Sequence, residues 1–210
     1  MNVPAGSQDR PLFALAGFCL AVTLWSAVGT HDYATWFFEL LLGAALVITL
    51  VALRRKFPFS TWVIAIVAAH YVVLAVGAKY TYTEAPPGEW LKAWFGFERN
   101  HFDRIGHFLQ GVTPALVMRE VLLRRTGLGR GVWLGFCSVS VALAFSGAYE
   151  ILEWLWVAAF YPDAGPEWLG MQGDPFDAQA DMLMATLGGT LSAVILRSFH
   201  DRSLSRLSKD

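Results

Sequence analysis

The sequence predicts an all-α polytopic membrane protein, a bundle of six transmembrane helices with an interfacial segment in the third connection, on the outer side. Three observations carry this. The 210 residues are 55 % hydrophobic and only 16 % charged, against about 25 % charged in ordinary soluble domains. Six apolar stretches reach the roughly 20 residues that a helix needs to cross the hydrocarbon core. Finally, basic residues gather in alternate connections. A net charge of -1 gives no case for nucleic-acid binding, so membrane lipids are the expected surroundings and partners.

The predicted spans lie at about 11–29, 33–53, 60–82, 104–123, 132–160 and 178–197, within one membrane domain covering residues 1–210. The first follows Arg10 as a secretory signal would, but it exceeds the usual h-region of about 7 to 15 residues and five spans follow it, so it reads as a retained helix. The connection after the second span carries Arg54, Arg55 and Lys56. That after the fourth carries Arg124, Arg125 and Arg130, and the tail carries Arg197, Arg202, Arg206 and Lys209. The positive-inside rule makes these three cytoplasmic and places both termini there. The other connections hold His31 and Asp32, then Glu84 and Glu89, then Asp163, Glu167 and Asp174, and face outward.

Within the third connection, Trp90, Leu91, Trp94 and Phe95 of GEWLKAWFGFE fall at helical spacing and predict a short helix lying in the interface. The segment 161–177 is rich in Gly and Pro and reads as an irregular loop. Small residues four apart, at Gly131/Gly135, Ala185/Gly189 and Gly189/Ala193, permit close helix approach. Pro114 predicts a kink in the fourth span. Cys19 and Cys137 sit in apolar stretches as small hydrophobes.

Eleven ionisable residues collect toward the outer ends of these spans: Glu39, Lys79, His101, Asp103, Arg104, His107, Glu150, Glu153, Asp174, Asp177 and Asp181. A charge near mid-bilayer costs about 2.5 to 3.5 kcal/mol even on the lenient insertion scale, so their retention needs a reason. A rise of about 1.5 Å per residue puts Glu39 roughly 9 Å, His107 roughly 5 Å, Glu153 roughly 10 Å, Glu150 roughly 15 Å and Asp181 roughly 6 Å below the outer ends of their helices. Glu150 and Glu153 are three apart, while Asp177 and Asp181, like Asp103 and His107, are four apart, so each pair shares a helix face. Oxygen and imidazole ligands aimed inward from several helices are how bundles hold metals such as manganese, iron or zinc.

Plainer roles compete at several positions. Asp174, Pro175 and Asp177 form a helix-start pattern, as do Asn100 and Asp103, so the three Asp residues read first as caps. Arg104 fits an interfacial anchor, and Lys79 can snorkel to the surface. His70 reads as a satisfied core histidine, and Glu39 either joins the site or hydrogen-bonds as a neutral acid. Glu150, Glu153, Asp181 and His107 are too deep for capping, and two carboxylates one turn apart repel unless protonated, paired or bridged by a cation. No nucleophile elbow, Cys-type zinc spacing or phosphate-cradling Gly loop is present.

The segments NHFDRIGHFLQG, SGAYEILEW and GDPFDAQADMLMATLGG resemble the YjdF-like bacterial inner-membrane proteins over about residues 10–200. That resemblance implies an inner-membrane location and the six-helix fold without supplying a reaction. Asp-Arg-x-x-His-Phe at 103–108, the Glu150/Glu153 stretch and the run from Asp181 to Gly188 are also similar, more distantly, to VanZ-like proteins, although Ala185 stands where those tend to carry Asn.

The leading expectation is a metal-dependent hydrolase or transferase acting on a lipid or lipid-linked head group at the outer leaflet. Glu150, Glu153, His107 and Asp181 would hold a divalent metal, Asp177 or Glu39 would act as general base, and Arg104 or Lys79 would neutralise a phosphate. A small transporter or ion- or proton-binding protein is the second expectation, weakened because the inner halves of the spans carry few charges beyond His70. An accessory scaffold with structural ion pairs is the third.

Overall fold

The computed structural model describes residues 8–164 and 171–207. Glu167, the middle of the 161–177 loop and Lys209 lie outside the described residues. Among the latter the chain forms seven helices: α1 (Asp9–Ala27), α2 (Tyr33–Leu53), α3 (Thr61–Tyr80), α4 (Pro86–Phe95), α5 (Phe102–Arg125), α6 (Val132–Phe160) and α7 (Asp177–Leu207). Five of them, α1, α2, α3, α6 and α7, are long and apolar enough to cross a membrane. Their outward faces carry large apolar side chains such as Leu24, Ile48, Phe136 and Val194, the inside-out pattern that a hydrocarbon solvent allows.

The fourth predicted span, α5, has 24 residues and a length of roughly 36 Å, but it differs from the other five in composition. It carries Asp103, Arg104, Arg119, Glu120, Arg124 and Arg125, and half of it is buried. The reason is its position. α5 packs against α7, α6 and α3, so its side chains meet protein on most sides, where charge can be paired. The α1–α2–α3 side contributes most of the main apolar core, with Leu12, Leu15, Leu50, Val63 and Val67, against which Leu116 of α5 packs.

Local chemistry sets the helix ends. Asp32 caps α2, accepting from the backbone N–H of Ala34 and of Thr35, two donors without intrahelical partners. Two prolines open α4, and left-handed Gly96 closes it. On α4, Trp90, Trp94 and Phe95 are exposed. Asn100 fastens the base of this helix, donating to the Ala85 carbonyl (3.1 Å) and to Glu89 (2.9 Å), and accepting from Phe102 N–H (3.0 Å).

The predicted tail from Arg197 is helical. α7 passes through a π-helical turn at Ser192–Leu196, where the Ser192 hydroxyl donates to the Gly188 carbonyl (3.0 Å), and continues because His200, Leu204 and Leu207 bury one of its faces. α5 and α7 approach to backbone contact. A Cβ on Gly111 would stand 1.9 Å from the Ala185 carbonyl oxygen, and one on Gly188 would stand 2.0 Å from that of Phe108. Only glycine fits there, and the contact draws the first turns of the two helices together.

Candidate functional site

The α5–α7 contact brings the acids at the start of α7 against Arg104 and His107 on α5. Arg104 donates to Asp181, to Asp177 (2.6 Å) and to Asp174 (3.1 Å), and lies 3.7 Å from Asp103. Arg99, from the loop before α5, donates to Asp174 (3.0 Å) and Asp177 (3.1 Å). Such charge-assisted forks are the strong hydrogen bonds of proteins. Arg104 is therefore a half-buried partner of four carboxylates rather than an interfacial anchor, because three of them, on α7 and just before it, close over it. Asp174 also accepts from the Phe176 N–H (3.0 Å), but this is a turn ahead of the helix: α7 starts at Asp177 with Phe176 at its N-cap and no side-chain cap bond, so Asp174 is not the cap that its pattern predicts. Asp103 and Asp177 are buried and face side chains, so capping does not describe them.

One turn deeper, His107 Nε2 lies 3.4 Å from Asp103 and 3.9 Å from Asp181, while Nδ1 lies 3.5 Å from Glu150. Asp103, His107 and Asp181 each present a ligand atom within 4.8 Å of the others. Of the four residues predicted to hold a metal, only His107 and Asp181 belong to this compact group. Asp103 joins His107 and Asp181 because it sits one turn before His107 on the same face. Glu150 faces the other ring nitrogen, and Glu153 faces a small cavity. Among the described residues neither His107 Nδ1 nor Glu150 Oε1 has a hydrogen-bond partner, 3.5 Å being long for a nitrogen–oxygen bond.

That cavity, of about 20 Å³, is lined by Glu39, Tyr82, Asp103, His107, Tyr149 and Glu153 among others, and is large enough for one water molecule. Tyr149 donates to Glu39 (2.9 Å), which joins α2 to the site. Tyr82 enters between α3 and α5 over Gly77, where a Cβ would meet its ring at 2.3 Å. Lys79 is not brought to this site. It donates to the Val28 carbonyl and lies over the rings of Trp25 (5.3 Å) and Tyr80 (5.4 Å), since its position on α3 turns it toward α1.

Arg99, Tyr82 and Tyr149 were not singled out from sequence. Tyr149 had a signal, being four residues before Glu153 and hence on its face, whereas Arg99 and Tyr82 lie outside the helices and had none. A second buried network also went unread, at the opposite end of α5. Glu120 accepts from Arg124 (2.6 Å) and from the Ser60 N–H (3.0 Å) and lies 3.1 Å from His200. Arg119 bonds to His200 Nδ1 (3.1 Å) and Asp201 (2.9 Å). This end of the bundle is therefore not poor in charge; its charges pair with one another. His70 shares a hydrogen bond with Thr113 (3.0 Å) through Nδ1, as a core histidine, while its Nε2 has no partner among the described residues.

Among the described residues, seven carboxylates (Glu39, Asp103, Glu150, Glu153, Asp174, Asp177 and Asp181) thus surround two arginines and one histidine. Fold and site together define a multi-pass α-helical membrane protein with a buried, carboxylate-rich polar centre between helices.

The chain belongs to the DUF2238 family of predicted membrane proteins, whose model matches residues 11–202. It is 36 % identical over 185 residues to the inner membrane protein YjdF of Escherichia coli (strain K12), covering 88 % of each chain. No solved structure matches it.

Proposed function

We propose that this protein is an inner-membrane enzyme of six spans, α5 being the sixth, and that it uses a divalent cation to hydrolyse or transfer a lipid head group at the outer leaflet. Loop charge orients it with both termini cytoplasmic and with α4 lying in the outer interface, where its exposed tryptophans and phenylalanine have the chemistry of that layer. The observation that carries the reading is the convergence of Asp103, His107 and Asp181 ligand atoms within 4.8 Å, beside further carboxylates that outnumber the nearby cations. Like charges so close, away from water, require protons or a bound cation.

A cation held there would polarise a phosphoryl or carbonyl oxygen and acidify a bound water. Glu39 and Glu153, on the wall of the water-sized cavity, are placed to take up a proton. Arg104 and Arg99 hold Asp177 and Asp181 in place, which makes Arg104 a positioning residue and leaves Asp177 too committed to serve as base. A transport reading has less support, because the adjoining cavity continues with mostly apolar walls that include Leu46, Val117 and Val141, and its polar lining away from the carboxylates is neutral, such as Thr49, His70 and Thr113.

The test is elemental mass spectrometry on detergent-purified protein, beside Asp103→Asn and an exposed-residue control, Glu84→Gln. Stoichiometric divalent metal in the wild type and the control, lost in Asp103→Asn at equal monodispersity, is the expected result. No metal in any of them after repletion would overturn the cation reading and transfer the cluster to proton binding.

A further inference from the structure

α2 packs on α1 and α3, and α6 on α5 and α7, so α2 and α6 are neighbours without a shared helix interface. They touch toward the α4 end, where Phe38 stacks on Trp156 (centroids 4.8 Å apart) and Tyr149 reaches Glu39. Beyond that bridge they stand apart, and a cavity of about 360 Å³ opens between them with α3 and α5 as its floor. That volume falls in the range of about 300 to 1,000 Å³ typical of small-molecule sites. The mouth of the cavity faces outward, since the lining residues Ala45, Thr49 and Phe145 are exposed.

We propose that this groove seats one acyl chain of a glycerophospholipid whose head group reaches the carboxylate centre; this rests on the lipid-substrate reading above and names the substrate class. Three observations select the occupant. First, Glu39, Leu74, Gln110 and Tyr149 line both the groove and the water-sized polar cavity, so the polar end of one amphipathic molecule in the groove would abut the carboxylate centre. Second, the groove runs along α2 from Glu39 to Thr49, roughly 15 Å at 1.5 Å per residue. That is about half of a 30 Å hydrocarbon core, the reach of a single acyl chain, and too short for a long polyprenyl chain. Third, the medium outside the mouth is itself acyl chain, and an unfilled gap between apolar walls forfeits contacts on every side.

The polar end of the groove is prepared for an ester or phosphate. His70 Nε2 is buried on its wall without a hydrogen-bond partner among the described residues and can donate to an ester or phosphate oxygen when Nδ1 accepts from Thr113; Gln110 Oε1, likewise unpartnered there, can accept from a head-group hydroxyl. A lipid seated there is drawn inward by the depth of Glu39, roughly 9 Å, which brings its head to the carboxylates.

The experiment uses the full chain in lipid nanodiscs containing phosphatidylglycerol with a photoactivatable diazirine at the middle of one acyl chain. A parallel sample contains a diazirine-bearing polyprenyl phosphate, and labelled peptides are mapped by mass spectrometry. Acyl labelling should concentrate on the groove faces of α2 and α6. It should fall about tenfold in Val141→Trp and in Ala45→Phe, which fill the groove from opposite walls, and should persist in Leu24→Trp on the outward face of α1. Unchanged thermal midpoints keep the filled variants interpretable, and two independent walls guard against one of them misfolding. Labelling equal to that of the α1 face and indifferent to both substitutions would overturn the proposal. So would labelling by the polyprenyl probe alone, or cross-links from groove residues to a second copy of the chain. Groove labelling in a protein that binds no metal would sustain the acyl-chain site while removing the cation reading, and metal bound without groove labelling would remove the acyl-chain site alone.

Discussion

Replacing Gly111 by alanine tests whether α5 and α7 are held together by backbone contact. The added Cβ would lie 1.9 Å from the Ala185 carbonyl oxygen, and real Cβ atoms essentially never come within 3.0 Å of a neighbour. The obstructing atom is backbone, so no side chain can swing away and the helices must part by about 1 Å. Overpacking of this kind costs about 1 to 3 kcal/mol. For a chain of this size each kcal/mol moves the thermal midpoint by about 2 to 4 °C, which sets the expected fall at about 2 to 12 °C in detergent. The same separation lengthens the Arg104–Asp177 pair from 2.6 Å, so cation content should fall as well. Gly188→Ala, against the Phe108 carbonyl at 2.0 Å, should act alike. The double variant should cost less than the sum, because both sites open one interface. Gly135→Ala is the control, since its Cβ would meet Ala193 at an ordinary 3.5 Å. Midpoints are read by size-exclusion chromatography after heating. If Gly111→Ala melts with Gly135→Ala and the wild type, close packing does not set the α5–α7 distance and the account of the site's assembly is wrong.

Two further outcomes are expected. Asp32, at the start of α2, is slightly desolvated, which raises its pKa, but hydrogen bonds from the Thr35 and Tyr161 hydroxyls and from backbone N–H groups outweigh this and hold the carboxyl below its ordinary 3.8. The hydrogen bond to Asp32 in turn raises the Tyr161 phenol above its ordinary 10.0. The folded carboxylate's pKa is depressed, so its contribution is complete above about pH 5 and is lost as pH falls through the folded value. The phenol's pKa is raised, so its contribution is complete below its ordinary value and is lost as pH rises through the folded one. A thermal midpoint measured from pH 3 to 8 should therefore fall at the acid end less steeply in Asp32→Asn than in the wild type; parallel acid limbs would count against the contact. Separately, Glu120→Ala should destabilise the protein by about 3 to 5 kcal/mol, because it strands Arg124 and His200 in buried surroundings. A midpoint shift of less than a degree or two would show that those charges are paired by other groups.

Location in a membrane, the helical class and five of the spans were legible because each rests on a local quantity, apolar length against the thickness of hydrocarbon. α6 runs over Val132–Phe160 as its apolar stretch predicts. α5 was legible as a long helix, but its six charges have meaning only from the neighbours that surround it. Depth counted along each helix likewise brought Glu39, His107, Glu150, Glu153 and Asp181 to one layer, because rise per residue is fixed by the backbone. Which of them meet is a different matter, fixed by helix rotation and separation. Asp103 joined the compact group through the four-residue spacing that puts it on the face of His107, whereas Lys79 turned toward Trp25 of α1, a direction that no spacing encodes.

The sequence by itself determined that the chain crosses a membrane and that its acids and histidine share a level, since hydrophobic length and helical rise are properties of single segments. Only the tertiary structure decided that Arg104 is enclosed by carboxylates, that Glu120 and His200 form a second buried network, and that α2 and α6 leave a groove between them. These depend on how closely two helices approach, and that distance is set by contacts such as Gly111 against Ala185, between residues more than seventy positions apart.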